Sequence, residues 1–129
     1  MLAFKNIPVL AAAILGVVAG WSPAFAHHSQ AMFDTSKRLT LSGTVREFQF
    51  SNPHCYIQVL VPNPGGSGTI EWSVEMGAPT HLLRAGIYPN TLHAGERITV
   101  IIIPLRDGGK GGHYVSATGP DGKLIGLQL

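Results

Sequence analysis

The chain has 129 residues, 45% of them apolar, which excludes an intrinsically disordered polypeptide. Nine Lys and Arg against seven Asp and Glu give a net charge of +2, and only 12% of the residues are charged. So weak a field does not neutralise a phosphate backbone, and no nucleic-acid partner is expected.

The first 26 residues read as a secretory signal. Lys5 supplies the positive start, Val9 to Val18 is an unbroken apolar run, and Ala24-Phe25-Ala26 is a small-x-small cleavage site. Pro23 interrupts the helix where a peptidase needs extended substrate. A spanning helix would need about 20 apolar residues. Cleavage after Ala26 is therefore expected, with export to a bacterial periplasm and no stable membrane anchor after processing. The remaining chain has the size of one domain. Its single cysteine, Cys55, has no partner for an intramolecular disulfide.

Residues 27–37 read as an irregular arm, with Met32 and Phe33 as its anchors. The body, 38–129, is all-β. Leu39, Leu41, Gly43 and Val45 alternate with polar residues, and Phe48 and Phe50 continue on the opposite parity. Such a switch predicts a β-bulge near Arg46-Glu47. After a Ser51-Asn52-Pro53 turn, Cys55, Ile57, Val59 and Val61 form the inward face of a second strand, and Ile70, Trp72, Val74 and Met76 that of a third. Pro79 to Gly86 has the start and stop signals of a two-turn helix. Arg97 to Ile103 reads as a strand covered on both faces. Leu105 to Gly112 reads as a glycine-rich loop, and Tyr114 to Thr118 as the fifth strand. Lys123 to Leu129 reads as a last extended piece. Three strands, a helix and two strands, with a long bent first strand, predict a five-stranded OB-like Greek-key barrel. A small open β-sandwich is the alternative.

Several clusters occur together: His27-His28-Ser29 at the expected mature start, Asn52-Pro53-His54, Trp72-Ser73-Val74-Glu75 and Pro104-x-Arg106-Asp107-Gly108. The pattern resembles a bacterial family of small secreted proteins of unknown function. The resemblance covers the whole mature chain and implies no particular activity.

The strongest chemical constellation is created by processing. Cleavage after Ala26 leaves His27 with a free α-amine beside its imidazole, a chelate that suits copper, and His28 adds a second ring. His54, held at the Asn-Pro turn, is the best distant ligand, and His113 is the second choice. Glu75, at the end of the third strand, and Arg106, in the glycine-rich loop, are candidate ligand-binding residues. His81 and His93 read as surface histidines. The expected function is a periplasmic binding module, not an enzyme, that takes copper through its processed N-terminus. Two alternatives stand beside it: a metal-free module for a periplasmic protein or small solute, and a copper-dependent oxidoreductase.

Overall fold

Residues 30–126 are described by a computed structural model. The expected signal peptide, His27 and His28 lie outside the described residues. The elements are β1 (Leu39–Gln49), β2 (Tyr56–Pro62), β3 (Thr69–Glu75), α1 (Pro79–Arg84), β4 (Arg97–Pro104) and β5 (Gly111–Thr118). They close into a barrel in the order β1-β2-β3-β5-β4. This is the expected OB-like barrel with its helix between the third and fourth strands, and the open sandwich is excluded.

Closure depends on β1 serving two neighbours. Its first half pairs antiparallel with β4, and its second half with β2; Thr44 belongs to both registers. The strand must bend between them. The register shift falls between Val45 and Glu47, at the predicted bulge. Gly43 sits at the bend, where a Cβ would collide with the carbonyl of Leu60. The opposite seam is short and parallel: Ser73, Val74 and Glu75 face Gly111, Gly112 and His113.

The inward parity of each strand fills the interior. Val45, Ile57, Val59, Val74, Val100 and Ile102 are all at most 1% exposed. Each such side chain contributes about 1.5–3 kcal/mol through removal from water. The short helix is stable because it is docked. Leu82 is fully buried, and Gly86, at φ +76°, lets Ile87 N–H donate to the Leu82 carbonyl at 2.9 Å. Ile87 and Leu92 follow Leu82 into the core.

Three expectations are corrected. The outer face of β4 is only half covered, because Thr99, Ile101 and Ile103 lie on the open side of the barrel wall. The fifth strand begins at Gly111, since closure against β3 requires that backbone. Of the two arm anchors, Phe33 is buried and Met32 is 54% exposed.

Candidate functional site

The arm reaches the barrel at the start of the β4–β5 connection. Phe33 bridges Leu105, Asp34 N–H donates to the Pro104 carbonyl at 2.9 Å, and Arg106 N–H donates to the Met32 carbonyl at 2.9 Å. Arg106 Nε adds a bond to the Ala31 carbonyl at 3.0 Å. A turn follows, in which Asp34 accepts from Ser36 Oγ at 2.6 Å and pairs with Lys37 at 3.0 Å. Those two hydrogen bonds, Ser36 first, hold the Asp34 carboxyl down at about 2.

Under the arm, the sheet register aligns side chains from four strands. Gln49, Tyr56, Glu75 and His113 are successive cross-strand partners on β1, β2, β3 and β5. They carry the parity opposite to the buried Ile57 and Val74, so the row runs along the outer wall at the β3–β5 seam. His54, just before β2, leans over the same place, with Nδ1 3.3 Å from Glu75 Oε1. The Phe33 ring lies 5.5 Å from the His113 ring, tilted by 48°.

Of these, Phe33, His54, Glu75 and His113 line a cavity of about 380 Å³, bounded on its arm side by Gln30 and Phe33 and flanked by Arg38 and Tyr114. Its electrostatics centre on Glu75, whose side chain is only 18% exposed. Burial lowers the proton affinity of His113 below the ordinary histidine range; Glu75 opposes that shift and His54 adds to it. The shift favours the neutral imidazole. Burial raises the Tyr56 phenol, and the charge of Glu75 adds to the shift.

Thus His54, Glu75 and His113, from three separate stretches of chain, come together. Arg106 does not line the cavity; it tethers the arm that covers it. Among the described residues, no group of three or more His, Cys, Asp or Glu side chains is placed to hold a metal ion. Cys55 is fully buried, and burial raises its thiol, so it behaves as an apolar core residue. His93 pairs with Glu96 at 2.8 Å on the surface, and His81 is exposed. Glu71 pairs with Arg46 at 2.9 Å. No sequence signal marks Tyr56, Gln30 or Phe33 as site residues. Only register puts Tyr56 opposite Glu75, and the arm's course is set by contacts 70 residues away along the chain, such as Ala31 with Arg106 at a separation of 75.

Fold and site together define an OB-type barrel with a polar pocket on its outer wall, roofed by an N-terminal arm. The chain belongs to the family of unknown function DUF6152, whose model matches residues 14–114. No functionally curated protein matches its sequence. Among solved structures it is similar to the mitochondrial single-stranded DNA binding protein Rim1 of S. cerevisiae, at 12% identity and a TM-score of 0.45. That match covers 65% of this chain and 94% of the other.

Proposed function

We propose that the chain is an exported copper-binding module of the periplasm, in which the processed N-terminus and the outer-wall pocket hold one ion between them. The observation that carries this reading is the position of Gln30. It lines the same cavity as His54, Glu75 and His113, and it stands three residues after His27. Three extended residues span about 10 Å. The amine and imidazole of a mature His27, or the imidazole of His28, therefore have the reach to join His54 and His113. Each set is rich in nitrogen donors, which favour copper over the earlier divalent metals of its row. Neutral imidazoles supply the ligands, and the neighbouring carboxylate offsets part of the cation's charge.

The test is a copper titration of secreted protein whose first residue has been verified by mass spectrometry. His27→Ala and His54→Ala are each expected to weaken binding by at least tenfold. Unchanged affinity in both variants would overturn the reading. A second reading, a pocket for a small polar solute, is favoured by the cavity volume, about 380 Å³, which lies in the range of small-molecule sites. Ligand capture from periplasmic extract that persists in chelator would support it.

A further inference from the structure

We propose that Glu75 is a positioning residue that fixes His54 in the Nδ1–H tautomer, so that Nε2 presents its lone pair as the ligating atom. The inference rests on the copper reading of the pocket and adds which nitrogen binds and why.

Glu75 Oε1 faces His54 Nδ1 at 3.3 Å. A lone pair on Nδ1 would point at a negative oxygen and be repelled, whereas a proton there is attracted. The neutral ring has one proton, so placing it on Nδ1 leaves Nε2 bare. The carboxylate is itself held in place. It is mostly buried, so it needs partners in a fixed geometry. Tyr56 is its cross-strand partner on β2. On the other side, β5 places His113 opposite it. The register thus places Glu75 between Tyr56 and His113, with one carboxylate oxygen turned to the His54 ring. Such outer carboxylates raise the basicity of a ligating imidazole, and their loss weakens metal affinity by about 10–100-fold.

The experiment is a long-range proton–nitrogen correlation spectrum of the metal-free mature protein, recorded above the histidine titration range, for wild type and Glu75→Gln. In wild type, His54 is expected to show a protonated Nδ1 and a bare Nε2. In E75Q it is expected to move toward the Nε2–H form usual for free histidine, with a loss of copper affinity within that 10–100-fold range. A wild-type His54 protonated on Nε2 would overturn the proposal, as would a tautomer or an affinity unmoved by E75Q. Should E75Q not fold, the wild-type tautomer decides. A Glu75-dependent tautomer in a wild-type protein that binds no copper would overturn the copper reading alone and leave the positioning of the ring supported.

Discussion

At the scale of single residues, the site is built from groups whose chemistry is set by burial and by one carboxylate. His113 is the clearest case. Burial disfavours its charged form, so the unfolded chain takes up that proton at a higher pH than the folded one. Stability therefore falls as pH drops from the ordinary histidine range toward the lower folded value. Above that range His113 adds no pH dependence. A proton NMR titration is expected to place its midpoint below 6.5; a midpoint at or above that value would contradict the burial argument. Asp34 works in the opposite direction, because its folded carboxyl is depressed to about 2. The stability it lends the arm's turn is present above pH 4 and is lost as pH falls through about 2. Much of this chemistry was legible in the sequence. An imidazole after Asn-Pro and a carboxylate ending a strand are both candidates on sequence alone. Their meeting was not legible, because a register places Glu75 between Tyr56 and His113, and residue spacing along one strand does not reveal its neighbours.

At the scale of elements, two devices matter: the bend in β1 and the tether of the arm. The bend was readable because a parity switch at a fixed place has few explanations other than a bulge. Gly43→Ala forces the Leu60 backbone to move, and a clash of this kind costs about 1–3 kcal/mol. Thermal unfolding is expected to show that loss; an unchanged midpoint would mean that β1 bends elsewhere. The arm was harder to read. A segment without periodicity gives no hint of where it lies, and Met32 and Phe33 looked equivalent, though only Phe33 packs inward. Arg106 was readable as a polar residue in a flexible loop, but its bond to Ala31 makes it a tether. Removing one such bond loosens the arm by about 0.5–1.5 kcal/mol. Arg106→Ala is therefore expected to leave the barrel's unfolding cooperative while weakening copper binding by about 2–10-fold. Full retention of affinity would show that the arm's course does not shape the site.

At the scale of the whole molecule, the order of elements dictates closure, and closure creates the site. Five strands with one long member can satisfy both edges only by wrapping, and wrapping brings β5 beside β3. That seam is where His113 meets Glu75. The barrel was legible because strand count, the bulge and the helix position agreed. The half-open outer wall of β4 was not, since β-branched residues occur on covered and uncovered faces alike. A ligand confined to the folded state stabilises the whole domain. At free copper a hundredfold above Kd, that amounts to about 2.7 kcal/mol, or a rise in Tm of roughly 10–20 °C for a domain of this size. A rise that vanishes in His54→Ala is the expected signature.

Paramagnetic copper(II) broadens the resonances of nuclei close to it, so its position can be found directly. Substoichiometric copper added to isotope-labelled mature protein is expected to erase first the signals of Gln30, Glu75, Gly77, His113 and Val115, which surround the pocket. Broadening confined to His81 and His93, or to the arm without these pocket residues, would contradict the account.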